Sequence, residues 1–122
     1  MATIYHEQGL SEQAKNLHRA LTSLIEELEA IDWYNQRVDV TQDQELKSVL
    51  AHNRDEEVEH ACMALEWIRR QLPQFDENLR TYLFTTAPIT QLEEGEPGGE
   101  EQEKSPGTPG DLGIGKPRKG GN

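Results

Sequence analysis

The hydrophobic and polar positions of this chain follow a helical repeat. Leucines and one isoleucine recur at alternating spacings of four and three residues, at Leu17, Leu21, Leu24, Leu28 and Ile31. This spacing places them on one stripe of an α-helix. Ser11 precedes the stripe and is a typical N-cap residue. The pattern therefore predicts a first helix from Ser11 to about Val38.

A second helix of similar length is predicted after a short connection. Thr41 or Asp43 can cap it, and Pro73 ends it just after Gln71. Its inward seam, with the same alternating spacing, consists of Leu46, Leu50, Asn53, Glu57, His60, Ala64 and Trp67. Because the connection is short, the two helices are expected to lie antiparallel as a hairpin.

A shorter third helix is expected from about Pro73 to Phe84. The predicted fold class is therefore all-α, with a two-helix hairpin followed by a short C-terminal helix. Within the second helix, Met63 and Trp67 are expected to belong to the core, and Cys62 is expected to be a small buried hydrophobic residue.

The composition changes from Thr85 onward to proline, glycine, glutamate and serine, which do not support a continuous helix or strand. We expect a helical domain over residues 1–92 and a flexible linker over residues 93–110. Residues 111–122 restore two aliphatic residues between glycines. This segment is predicted to be a docking peptide at the end of a disordered tail.

The chain is strongly acidic, with a formal net charge of −11. Of its 23 acidic and 12 basic residues, seven and four lie beyond residue 85, which leaves 16 and eight in the helical part. This balance argues against nucleic acid or an anionic membrane as a partner and is compatible with attracting cations. A single cysteine forms no disulfide framework, and no apolar N-terminal stretch resembles a signal peptide or membrane span. We therefore expect a cytoplasmic protein.

Three polar side chains occupy positions where the helical pattern predicts apolar ones. Glu57 and His60 are three residues apart on the second seam, so both project from one face of the helix. Glu27 has apolar neighbours on the first helix, whereas Glu26 and Glu29 have polar ones. Di-iron carboxylate bundles carry a Glu-x-x-His pair on one helix and a single glutamate on a preceding helix. The sequence therefore predicts that one chain holds half of a di-iron site.

The alternative interpretation is that Glu27, Glu57 and His60 form a satisfied polar patch or a solvated face of the hairpin. Arg54 is the only nearby cation on the second helix. Burying unpaired carboxylates costs several kcal/mol per ion, and a metal ion both balances the charge and fills the space. This comparison favours a metal site.

The number of ligands implies an assembly of two chains. Two metal ions held in the manner of these bundles need two single glutamates and two Glu-x-x-His pairs, and one hairpin supplies one of each. A two-fold axis through the cluster would bring Glu27, Glu57 and His60 of both copies around two Fe²⁺. Four carboxylates then balance two Fe²⁺ ions. We expect iron to drive the formation of a dimer in which two hairpins make a four-helix bundle.

Three stretches of the chain resemble the encapsulated ferritins: Glu-Glu-Leu-Glu-Ala-Ile-Asp-Trp-Tyr over 26–34, His-Asn-Arg-Asp-Glu-Glu-Val-Glu-His over 52–60 and Arg-Thr-Tyr-Leu-Phe-Thr over 80–85. The resemblance covers roughly residues 10 to 92. It implies a ferritin-like fold in which two-helix protomers form an antiparallel dimer, with a ferroxidase centre at the interface. It further implies that five dimers close into a ring-shaped decamer.

The resemblance also assigns roles to individual residues. The di-iron ligands fall on Glu27, Glu57 and His60. An outer site at which iron enters falls on Glu26 and Glu29, with Trp33 as the gate to it, and Tyr34 lies beside the ligands.

A second resemblance concerns the C-terminal segment. Leu112-Gly113-Ile114-Gly115 is similar to the peptide that directs cargo into encapsulin shells. The family usually continues with Gly-Ser-Leu, whereas this chain reads Gly115-Lys116-Pro117 and lacks the second aliphatic anchor. An encapsulin shell protein is the partner that this resemblance implies.

These observations predict a ferroxidase that oxidises Fe²⁺ to Fe³⁺ with O₂ or peroxide and supplies iron for mineral storage inside an encapsulin compartment in the cytoplasm. The alternative is a non-catalytic, oligomeric metal-binding cargo module. A di-iron oxygenase is less favoured because about 85 residues of helix leave little room for a pocket for an organic substrate.

Overall fold

A computed structural model describes residues 5–93 of the chain. In this range the protein contains helices and no strand, as predicted. The helices are α1 (Glu12–Val40), α2 (Gln44–Gln71), α3 (Pro73–Tyr82) and the single turn α4 (Ile89–Leu92). The predicted linker over residues 93–110, apart from Glu93, and the predicted docking segment over residues 111–122 lie outside the described residues.

The first helix begins at the predicted cap. The Ser11 side chain accepts a hydrogen bond from the backbone N–H of Ala14 at 3.1 Å. The helix ends at Val40, two residues later than expected, where the Thr41 hydroxyl and backbone N–H both donate to the Arg37 carbonyl, at 2.6 and 3.0 Å. These bonds use a carbonyl that the end of a helix would leave without a partner.

The cap of the second helix is Asp43. Its carboxylate accepts a hydrogen bond from the backbone N–H of Leu46 at 2.8 Å. Thr41, the other predicted candidate, instead ends the first helix. The α2 helix stops at Gln71, immediately before Leu72 and Pro73, as the position of the proline predicts.

The α1 and α2 helices lie side by side as an antiparallel hairpin joined by residues 41–43. Two cross-contacts show the direction, because Arg54 contacts Asn35 while His60, farther along α2, contacts Glu27, earlier in α1. The buried core is small. Within the described residues, the buried hydrophobic residues are Ala61 and Ile68, two turns apart on α2, and only Ile68 is completely buried.

Several predicted core positions are exposed. Leu28 is 54% exposed and Met63 is 63% exposed, and Leu46 and Trp67 also face outward. Cys62 is a free, exposed cysteine rather than a buried one. Ile68, which the predicted seam did not include, is completely buried. The predicted seam therefore follows the edge of the α2 surface that packs on α1, rather than its centre.

The described chain falls into two compact units, the first ending at Leu72 and the second beginning at Pro73. Within the second unit, α3 ends at Tyr82, two residues before the predicted Phe84. An ion pair between Arg80 and Asp76 at 3.0 Å spans one turn of this helix. The α4 turn was not predicted.

No helix among the described residues is both long and apolar enough to cross a membrane.

Candidate metal centre

The three predicted ligands converge from the two long helices. Glu27 lies on α1, and Glu57 and His60 lie one turn apart on α2. The Nδ1 atom of His60 is 3.3 Å from Oε1 of Glu57 and 3.7 Å from Oε1 of Glu27. One ligand atom from each of the three side chains lies within 4.8 Å of the others. In the described part of the chain, this is the one cluster of three or more metal-ligating side chains.

The carboxyl groups of Glu27 and Glu57 shift each other's pKa in opposite directions. A hydrogen bond with Glu57, reinforced by partial burial and by the negative charge of Glu57, raises the pKa of Glu27 above its ordinary value of 4.5. The same hydrogen bond, together with one from His60, lowers the pKa of Glu57. The pair therefore keeps one proton, on Glu27, at a higher pH than an isolated glutamate does.

His60 carries the compensating charge. Its hydrogen bond with Glu57, assisted by the negative charge of Glu27, raises the pKa of the imidazole above its ordinary 6.5. Because metal binding requires neutral imidazole and ionised carboxylates, a divalent ion would displace the protons of Glu27 and His60. The donor set of two carboxylate groups and one imidazole suits Fe²⁺ and related divalent ions.

The cluster lies at the edge of the hairpin. The side chains of Glu27 and Glu57 are 27% and 26% exposed, and that of His60 is 46% exposed. Within one protomer His60 lies at the edge of the hairpin rather than in its core, because its own chain leaves almost half of the imidazole uncovered. Three ligand groups on an open surface leave space for further ligands from outside the chain.

Three exposed apolar side chains lie on the same face of α2 as His60. Val49, Met63 and Trp67 differ from His60 by 11, three and seven positions, spacings that share one side of a helix. Each of these three side chains is exposed. We define Val49, His60, Met63 and Trp67 as the open seam. An apolar surface beside polar ligands is typical of an interface.

The predicted outer site is more exposed than the cluster. Glu26 is exposed, Glu29 is half-buried, and Trp33 is 54% exposed. Their spacing of three and seven positions places them along one side of α1. The charge of Glu26 contributes to the raised pKa of Glu27. Of these residues, Glu26 is thus linked electrostatically to the cluster.

Tyr34 lies two turns after Glu27 on α1 and is half-buried. The guanidinium carbon of Arg37 lies 5.3 Å from the centre of its ring, within the range of a cation–π contact. The spacing of seven residues places Tyr34 on the same side of the helix as Glu27.

Arg54, the nearby cation on α2, contacts Asn35 and Asp55 rather than the carboxylates of the cluster. Its Nη1 donates to Oδ1 of Asn35 at 3.0 Å, and its Nε contacts Oδ1 of Asp55 at 3.1 Å. Asn35 could not be predicted from the sequence, because a lone asparagine at a helix surface has no distinctive spacing.

Comparison with known proteins identifies the family. A family model described as EncFtn-like matches residues 2–86, more than half of the chain. A ferritin-like protein of Thermotoga maritima is 53% identical over 118 residues, covering 95% of this chain and 99% of the relative. An encapsulated ferritin-like protein of Rhodospirillum rubrum is 58% identical over 91 residues, covering 75% of this chain and 65% of the relative.

A solved structure supports the same assignment. A Nitrosomonas europaea protein of known crystal structure is 60% identical in sequence to this chain. The two structures match with a TM-score of 0.69, and the match covers 71% of this chain and 98% of the Nitrosomonas europaea chain. The helical fold, the family match and these relatives agree, and the chain belongs to the EncFtn-like family of encapsulated ferritin-like proteins.

Proposed function

We propose that this protein is a ferroxidase, which oxidises Fe²⁺ to Fe³⁺ at a di-iron site formed between two copies of the chain. The observation that carries the proposal is the convergence of Glu27, Glu57 and His60 within 4.8 Å on an open face of the hairpin. Three ligand groups at the edge of one protomer are half of the set that a di-iron carboxylate bundle requires.

The second half of the site comes from an identical chain. A two-fold axis beside the open seam buries Met63 and Trp67 and brings a second set of ligands opposite the first. Four ionised carboxylates and two imidazoles then surround two Fe²⁺ ions, so the filled site has no net charge. The empty site has four negative charges once Glu27 and His60 have lost their protons, as they do toward higher pH, and the repulsion then disfavours the metal-free dimer.

The reaction requires an oxidant that accepts the electrons of both iron ions. Two Fe²⁺ ions lose one electron each, and one O₂ takes up these two electrons and two protons to give H₂O₂. With peroxide as the oxidant, two electrons and two protons give two molecules of water. Carboxylate oxygens favour the hard Fe³⁺ product, and the imidazole nitrogen helps to retain Fe²⁺.

The side chains around the cluster have supporting roles in this proposal. Glu26 and Glu29 concentrate Fe²⁺ near the site through their negative charge. The exposed ring of Trp33 lies on the same side of α1 and limits access to them. Tyr34, two turns from Glu27 on the same side of α1, is proposed to act as a hydrogen-bond donor near the ligands.

The product is proposed to be stored inside an encapsulin compartment in the cytoplasm. The Rhodospirillum rubrum relative is named as an encapsulated protein, and the match to the Thermotoga maritima relative covers 95% of this chain, so it extends beyond Glu93. Leu112-Gly113-Ile114-Gly115 would bind the shell protein. Assembly of the dimers into a ring of five is the arrangement that the family resemblance implies.

The proposal is tested by following aerobic oxidation of Fe²⁺ optically over repeated additions. Glu27→Gln, Glu57→Gln and His60→Gln should each lower the oxidation rate by at least ten-fold, as expected for the loss of a metal ligand. Glu59→Gln, an exposed glutamate between the two α2 ligands, is the matched control and should keep the parent rate.

Two outcomes would contradict the ferroxidase. Unchanged rates in all three ligand variants would show that oxidation does not occur at the cluster. Binding of Fe²⁺ without repeated turnover, with Zn²⁺ binding equally well, would instead favour the non-catalytic metal-binding cargo module.

A further inference from the structure

Arg54 lies one turn before Glu57 but is directed away from it. Residues three apart on a helix are neighbours, so the long Arg54 side chain can reach the Glu57 carboxylate. In the observed structure the guanidinium instead contacts Asn35 on α1 and Asp55. The groups that shift the pKa of Glu57 are Glu27 and His60, and Arg54 is not among them.

Arg54 is also the one permanent cation in this part of the hairpin. Residues 20–36 of α1 contain no lysine or arginine, and residues 50–64 of α2 contain only Arg54. If its guanidinium paired with Glu57, the pair would neutralise one ligand and place a positive charge beside the position of a metal ion. An arginine cannot be deprotonated to relieve that competition.

The contact with Asn35 is the one that ties the guanidinium to the opposite helix, since Asp55 is its neighbour on α2. The Arg54 side chain is only 29% exposed, so its N–H groups need acceptors. The Asp55 side chain is 68% exposed, and an ion pair with such a carboxylate contributes little. Asn35 supplies an oxygen from the other helix without adding a further carboxylate.

We propose that Asn35 is a positioning residue, which keeps the Arg54 guanidinium off Glu57 and so leaves the Glu27, Glu57 and His60 cluster free for a divalent cation. This inference depends on the proposed function only in that the cluster binds such an ion. It assigns Asn35 and Arg54 no contact with the metal.

The test is a calorimetric titration of the full-length chain with Co²⁺, which is next to Fe²⁺ in affinity for nitrogen and oxygen ligands. Asn35→Leu has a similar size and no acceptor, and it should weaken binding on the order of five-fold, the loss expected from one hydrogen bond. Asn35→Asp keeps the acceptor and should bind Co²⁺ at least as tightly as the parent.

The double variant Asn35→Leu/Arg54→Gln separates this role from a structural one. It lacks the contact between the helices but also lacks the competing cation, so its Co²⁺ affinity should return to that of the parent. If Asn35 serves only to tie the two helices together, the double variant will bind as weakly as Asn35→Leu. That result would overturn the inference, and so would an Asn35→Leu variant that binds like the parent.

The parent titration keeps the two proposals distinct. A parent protein that binds no divalent metal contradicts the proposed function, and the role of Asn35 with it. A parent that binds Co²⁺, with no loss in Asn35→Leu, contradicts only the role of Asn35. Circular dichroism of each variant shows whether its helical content is unchanged.

Discussion

The imidazole of His60 lies 3.7 Å from the carboxylate of Glu27 on the opposite helix. This contact joins α1 and α2 at the point where the candidate ligands meet. In the metal-free protein a proton on His60 is stabilised by Glu57 and Glu27, which raise the pKa of the imidazole. A metal ion at the same position would replace that proton. Binding of a metal ion at the cluster should therefore release the proton of His60.

The first prediction is that Co²⁺ binding releases more protons at about pH 6.5 than at about pH 8. His60 ordinarily titrates at 6.5 and its pKa is raised here, so it is mostly protonated at the lower pH and must lose its proton to bind metal. The apparent affinity for metal should accordingly rise with pH across this window. Calorimetry in buffers of different ionisation enthalpy counts the protons.

The control for this prediction is His60→Gln, which should remove the pH dependence in the upper part of the window. Glu27, whose pKa is raised from 4.5, contributes to proton release at lower pH in both the parent and the variant. Proton release that does not change with pH in the parent would exclude His60 as the displaced acid.

The second prediction concerns the open seam. Met63→Asp should weaken metal-dependent dimer formation by at least ten-fold, because a carboxylate buried at the interface costs more than about 1.4 kcal/mol. Ser48→Asp introduces the same charge at an exposed position of α2 that is not on the open seam, and it should leave the dimer unchanged. Sedimentation velocity with and without Fe²⁺ under anaerobic conditions measures the dimer population of each variant. Equal dimer populations in the two variants would place the interface elsewhere.

The third prediction concerns the start of α2. Asp43→Ala should lower the free energy of unfolding by about 1 kcal/mol, since the variant loses the side-chain acceptor for the Leu46 N–H. Gln42→Ala, at the exposed neighbouring position, should change it by less than about 0.5 kcal/mol. Urea unfolding compares the two variants. The protein concentration is kept fixed because dimerisation shifts the apparent stability. An equal loss in both variants would show that the cap is not the cause.

The helix ends were predictable from the sequence because they depend on local chemistry. Ser11 caps α1 and Pro73 stops α2, and each effect requires only the neighbouring backbone. Glu27, Glu57 and His60 were likewise found by helical spacing, which brings Glu57 and His60 to one face of α2.

The burial of the seam was harder to predict, and the reason is physical. Helical periodicity identifies which residues share a face, but not whether that face covers the same chain or a second copy. Met63 and Trp67 were expected in the core of the hairpin and are exposed in the protomer, whereas Ile68 is fully buried. The apolar surface of α2 is wider than the strip that packs on α1, so one part can be buried within the chain while another remains for a second copy. Asn35 was not found because its contact is made across the hairpin.

The fourth prediction concerns the C-terminal segment. Deletion of residues 111–122 should abolish co-purification with a co-expressed encapsulin shell protein and leave the rate of Fe²⁺ oxidation unchanged. The double substitution Lys116→Ser/Pro117→Leu adds an aliphatic residue and should increase the amount of cargo that co-purifies. Capture of the deleted chain at the parent level would show that docking does not use this segment.

The central claim is that neither protomer alone holds the complete iron site. The most direct measurement is anomalous scattering at the iron absorption edge from crystals grown with Fe²⁺ under anaerobic conditions. The account predicts two iron atoms beside a two-fold axis, each bound by ligands from both copies, with Glu27, Glu57 and His60 of each protomer in the set. Iron bound entirely within one hairpin, or dimers in which these three side chains face solvent without iron, would contradict it.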